Sequence, residues 1–158
     1  MKKVDIVKEL DSPDDLIYAD GNAIVQAFVA FLVNAIEAVE EGGVVKVGIA
    51  SSEESIKVMI ADNGRGISED VLPHIFEPFF TTKENRKSVG MGLSIAYSIV
   101  DQHGGKIEVK STVNEETTFT VYLPRHMPDS HAYCNQIFPR MGDQRGKDHS
   151  FRRGSPCS

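Results

Sequence analysis

The feature that most constrains the fold is a near-apolar run from Ala23 to Ile36, broken only by Gln26 and Asn34 and followed by Gly42-Gly43. These residues suit one helix from about Gly21 to Glu41, stopped by the glycine pair. A helix apolar on nearly every side must be covered by other elements. The run is shorter than the ~18 continuous apolar residues that a bilayer span needs. The N-terminal MKKVDIVKEL lacks the apolar core of a signal peptide. The expectation is a core helix in a soluble domain without membrane contact.

The flanking segments say what covers it. VVKVGIA and SIKVMIA, joined by the polar SSEES, read as a hairpin: Val45, Val47 and Ile49 alternate with polar or small residues, as do Ile56, Val58 and Ile60. VDIVKEL and LIYA, parted by DSPDD, read as two short strands. A second helix is predicted over Val89 to Gln102, with Leu93, Ala96 and Val100 on one face and a stop at His103-Gly104-Gly105. KIEVKS and TFTVYLP supply two last strands. The order β-β-α-β-β-loop-α-β-β predicts an α/β (α+β) two-layer sandwich, a mixed and mostly antiparallel sheet with helices on one face.

Of the 158 residues, 1–124 form this domain. Residues 125–158, poor in Val, Ile and Leu, read as a poorly ordered tail or an expression remnant. Residues 1–124 hold 11 Lys and Arg against 20 Asp and Glu, a balance of −9, while the tail holds 6 against 3. So acidic a domain is a poor match for nucleic acid. Both cysteines, Cys134 and Cys157, lie in the tail, so the domain has no disulfide framework, as expected of a cytoplasmic protein.

Three places carry candidate chemistry. Asn34 sits in the apolar helix with Glu37 one turn on, and burying its amide unpaired would cost about 1–3 kcal/mol. A backbone hydrogen bond would satisfy it, and so would a Mg²⁺ ion held through oxygen ligands and waters. Asp62-Asn63-Gly64-Arg65-Gly66-Ile67 leaves the strand SIKVMIA. Its glycines admit a flat ligand close to the backbone and its carboxylate can accept from an exocyclic amine, while Asp-Asn-Gly also serves as an ordinary turn. Ser88-Val89-Gly90-Met91-Gly92-Leu93 opens the second helix, where backbone N–H groups attract an anion, although such glycines also begin helices without a ligand. Before it, TTKENRKS concentrates Lys83, Arg86 and Lys87, either facing phosphates or simply solvated.

Taken in order, Asn34, DNGRGI, IFEPFFTTK, GMGLSI and the His-Gly-Gly stop strongly resemble the ATP-binding catalytic domain of two-component sensor histidine kinases, in the superfamily of gyrase-type ATPases. FEPFFTTK is most similar to the nitrogen-regulation subgroup. The resemblance spans residues 4–124. It implies that Asn34 ligates Mg²⁺ and phosphate with Glu37 nearby, that Asp62 meets the adenine amine, and that Gly64, Gly66 and Ile67 border the purine. It makes Phe76, Phe79 and Phe80 anchors of a lid, with Thr81, Thr82 and Lys83 beside the nucleotide. Ser88, Val89, Gly90, Met91, Gly92 and Leu93 would lie under the phosphates, and Thr117 near adenine. Asn34 and Lys83 would be the catalytic residues, with ATP and Mg²⁺ as cofactors.

Several positions depart from the family pattern. Ala30 stands where many members have a second Asn and gyrase-type ATPases a water-activating Glu, which argues against hydrolysis as the main task. Thr81 takes the place of a basic residue, leaving Lys83 for phosphate contact, and Glu116 takes the place of a glycine. No His lies in the family's phosphoacceptor setting: His74 follows Pro73, His103 suits a helix cap, and His126, His131 and His149 are in the tail. The resemblance therefore implies the catalytic part of a larger kinase that passes the γ-phosphoryl group of ATP to a His on a separate dimerisation domain. A response regulator would act downstream, and the parent could be anchored in a membrane. The alternatives are a switch module that responds to ATP occupancy without transfer, and an anti-sigma-type serine kinase.

Overall fold

The structure is a computed structural model that describes residues 2–10, 12, 14, 16–81 and 91–126. Its elements are β1 (Asp5–Glu9), α1 (Gly21–Ala38), β2 (Val44–Ser51), β3 (Ser55–Asp62), a 3-10 turn (Leu72–His74), α2 (Gly92–Gln102), β4 (Lys106–Thr112) and β5 (Glu116–Pro124). The sheet order is β1-β2-β3-β5-β4. Among the described residues only β1 and β2 run parallel. The predicted two-layer sandwich with a mixed, mostly antiparallel sheet is the fold observed.

Alternation along the strands decides which face is covered. Ile60 pairs with Phe119, Val58 with Val121 and Ile56 with Leu123, so one face of β3 and β5 is continuous apolar surface. Ala27, Phe31 and Ala35 of α1 and Ala96, Ile99 and Val100 of α2 are buried in the same core. The rings of Phe31 and Phe119 lie 5.4 Å apart, centroid to centroid, joining helix to sheet. By length and composition α1 is apolar enough to cross a membrane, with a mean hydropathy of 1.4 over its 18 residues. Here it packs on the sheet.

Three boundaries differ from the sequence reading. LIYA is not a strand: Leu16 and Tyr18 are exposed, and only Ile17 packs against the core. Asp20 directly after it is committed to capping α1, its carboxylate accepting from the N–H groups of Asn22 and Ala23. The first helix ends at Ala38 and not near Glu41, because Val39 turns extended and drops its side chain into the core. The second begins at Gly92, with Met91 as its N-cap, and not at Val89. His103 caps α2, its Nδ1 lying 2.7 Å from the Ile99 carbonyl. Its Nε2 accepts the Asp20 N–H at 3.1 Å, tying the end of α2 to the start of α1.

Candidate nucleotide site

A cavity of about 570 Å³ opens between α1, the loop after β3, the start of α2 and the β4–β5 turn. Asn34 and Glu37 face it from α1, Asp62 from the end of β3, Gly66 and Ile67 from the following loop, and Thr117 from β5. Thr81, Met91, Gly92 and Leu93 complete the opposite side. Residues separated by more than eighty positions thus share one space, of the size that small-molecule sites have.

At one end, Asp62 and Thr117 are register partners across β3 and β5, and both are nearly fully buried. The Gly64 N–H donates to Asp62 Oδ1 at 2.9 Å. Asp62 Oδ2 is buried and has no hydrogen-bond partner among the described residues. Burial pushes the Asp62 carboxyl above its ordinary value, while the Gly64 N–H and the charge of Arg65 pull it partly back. A buried acceptor without a partner beside a cavity is costly unless a ligand or a small shift completes it.

The loop's shape comes from close backbone packing. A side chain at Gly64 would overlap the Ala38 carbonyl, and one at Gly66 would overlap that of Thr112. Gly66 also has a φ of +69°, which favours glycine. The Arg65 N–H donates to the Ala38 carbonyl at 3.1 Å, and the Asn114 N–H donates to the Arg65 carbonyl at 2.8 Å. Gly64 therefore braces the site from behind and does not line it. Asn114 holds a φ of 60°, where Asn substitutes for glycine, and Glu116 sits in regular strand pairing with Thr112, so its position needs no glycine.

At the other end, Asn34 is half-buried and lines the cavity. Glu37 stands one turn further along the same face. Among the described residues no group of three His, Cys, Asp or Glu could hold a metal ion by itself. One carboxamide beside one carboxylate suits Mg²⁺, which keeps most of its waters and shares phosphate oxygens. The first N–H groups of α2 have no partner within the helix and Met91 gives them no side-chain cap, the arrangement that favours an anion.

Phe76 packs between Tyr97 (5.1 Å) and Phe119 (6.4 Å) as a core anchor, while Phe80 lines the cavity. Phe79 is 70% exposed and outside the lining. Thr82, Lys83, Ser88, Val89 and Gly90, with Arg86 and Lys87, lie outside the described residues, as do His131, His149, Cys134 and Cys157. Sequence reasoning missed Arg65, Ser68, Val71, Ile75 and Val113, all of which line the cavity. The apolar spacing of Ile67, Val71 and Ile75 was a usable signal for that wall.

The profile for "Histidine kinase-, DNA gyrase B-, and HSP90-like ATPase" matches residues 19–127. The chain belongs to this ATPase family. It is 40% identical over 108 residues to the sensor histidine kinase ZraS of Escherichia coli (strain K12), covering 68% of this chain and 23% of that protein. It therefore spans about a quarter of that relative's length. Among solved structures, the catalytic domain of histidine kinase ThkA superposes with a TM-score of 0.68 at 35% identity, covering 77% of this chain and 80% of that one. ThkA in complex with the response regulator TrrA gives 0.65 at 32% identity, over 78% of this chain and 34% of that one. Full-length ShkA in complex with AMPPNP gives 0.69 at 25% identity, over 79% and 26%.

Proposed function

We propose that this domain binds Mg-ATP and delivers its γ-phosphoryl group to a histidine on a separate dimerisation domain of a sensor kinase, with a response regulator as the next acceptor. The observation that carries the reading is the cavity that joins Asp62, whose Oδ2 is buried with no partner among the described residues, to Asn34 and the start of α2. Asp62 and Thr117 would take the adenine, Asn34 with Glu37 nearby the magnesium and phosphates, and the N–H groups of α2 the phosphate charge. Lys83, in the sequence before α2, would add a positive charge, and the parent kinase would work in the cytoplasm. FEPFFTTK favours the nitrogen-regulation subgroup.

Phosphoryl transfer asks little covalent chemistry of such a domain; positioning and charge neutralisation do most of it. Mg²⁺, when bound, would offset the charge of the phosphate oxygens. Ala30 lines the cavity without a carboxylate, so the α1 side offers no base for water at that position. Transfer to a partner's histidine fits this better than hydrolysis. The test is to supply the chain with a dimerisation domain from a sensor histidine kinase and radioactive ATP. Acid-labile, base-stable phosphate on the added domain is the expected product; label on serine, or none, would reject the proposal.

A further inference from the structure

Ser111 lies behind the Asp62 end of the cavity, on β4, and is not part of the lining. Its hydroxyl touches three groups. It accepts the Ile67 N–H at 2.8 Å, donates to the Glu116 carbonyl at 3.0 Å, and lies 2.7 Å from the Thr117 hydroxyl. A serine has one hydrogen and two lone pairs. A carbonyl cannot donate, so only one arrangement makes all three contacts hydrogen bonds at once, with the Ser111 hydrogen on the Glu116 carbonyl. The two lone pairs then receive the Ile67 N–H and the hydrogen of Thr117.

That assignment fixes the direction of the Thr117 hydroxyl. Its one hydrogen points back to β4, and only lone pairs remain for whatever occupies the cavity. Asp62 Oδ2 agrees, because the hydroxyl of its register partner is not spent on it. The two side chains at this end then offer acceptors alone, provided Asp62 is ionised.

We propose that Ser111 is a positioning residue that turns the Thr117 hydroxyl hydrogen away from the cavity, so that the site selects a base bearing an amine and rejects one bearing a carbonyl at the same ring position. This rests on the nucleotide-binding reading above. A freely turning Thr117 hydroxyl could donate to a carbonyl and would relax the choice. The same serine anchors the Ile67 backbone, so its loss also loosens the loop that borders the base. Affinity alone cannot separate these two roles; the ratio of affinities can.

The experiment measures Kd for ATP and for inosine triphosphate, which carries a carbonyl in place of the amine, by calorimetry on the full chain. Ser111→Ala is expected to lower the ATP-to-inosine preference by roughly three- to tenfold, the worth of one neutral hydrogen bond gained by the carbonyl. Ser111→Thr, which keeps the hydroxyl, is expected to restore it. In a Thr117→Val background, Ser111→Ala should leave the ratio unchanged; Thr117→Val alone, which keeps the Ser111–Ile67 contact, should lower the ATP-to-inosine preference and serves if Ser111→Ala folds poorly. Equal weakening of both nucleotides by Ser111→Ala would overturn the assignment and leave Ser111 a structural anchor. Failure of the unaltered chain to bind ATP would instead overturn the nucleotide-binding reading, and this inference with it.

Discussion

The Arg65 N–H donates to the Ala38 carbonyl at 3.1 Å, so the loop that frames the base end of the cavity is fastened to the open end of α1. The last carbonyls of a helix lack partners within it. Here one of them anchors a binding loop instead of facing water, and the approach is possible because residue 64 has no side chain.

Gly64→Ala should therefore do two kinds of damage. Its Cβ would overlap the Ala38 carbonyl, which is backbone and cannot swing aside. The expected destabilisation is about 1–3 kcal/mol, with a weaker Kd for ATP because the Asp62–Gly64 contact moves with the loop. Thermal unfolding and nucleotide titration of the variant check both effects.

The raised pKa of Asp62 gives the nucleotide-free protein a pH dependence of definite sign. The folded value lies above the ordinary carboxyl value of 3.8, so between the two the folded state binds more protons than the unfolded one. Through Asp62, stability falls as pH rises across that window and is level above it. Asp62→Asn keeps an oxygen for the Gly64 N–H and carries no charge. It should remove this contribution and leave the nucleotide-free protein at least as stable near neutral pH, while losing selectivity for ATP. Urea unfolding at a series of pH values, on both proteins, is the measurement.

Much of this architecture was legible because strands with one covered face carry a period of two, as Val45, Val47 and Ile49 do. LIYA misled because Leu16 and Tyr18 are apolar and yet exposed. Local composition does not reveal that no strand among the described residues receives them. Asn34, Asp62 and Gly66 stood out as residues at odds with their surroundings. Ser111 and Val113 did not, since they look like ordinary strand and turn residues. Their part in the site comes from β4 folding back against a loop more than forty positions earlier.

Asn34→Ala separates a ligand from a structural amide. Because Asn34 is only half-buried and faces the cavity, the nucleotide-free protein should change by no more than about 0.5 kcal/mol. The Mg²⁺-dependent part of ATP affinity should disappear. Calorimetry with and without Mg²⁺, beside thermal unfolding without nucleotide, reads both. A clear drop in melting temperature with Mg²⁺ dependence intact would assign Asn34 to the core.

The central claim is that an acidic acceptor at the end of β3 chooses the base of a bound nucleotide triphosphate, and competing titrations of Mg-ATP and Mg-GTP into the unaltered chain test it most directly. Sites built on a specific buried hydrogen bond can reject the wrong partner by ~10⁴-fold, and an open cavity by less, so the expected preference for ATP is at least ~10²-fold. Equal affinities, or no binding of either, would contradict the account and reduce Asp62 to a turn residue.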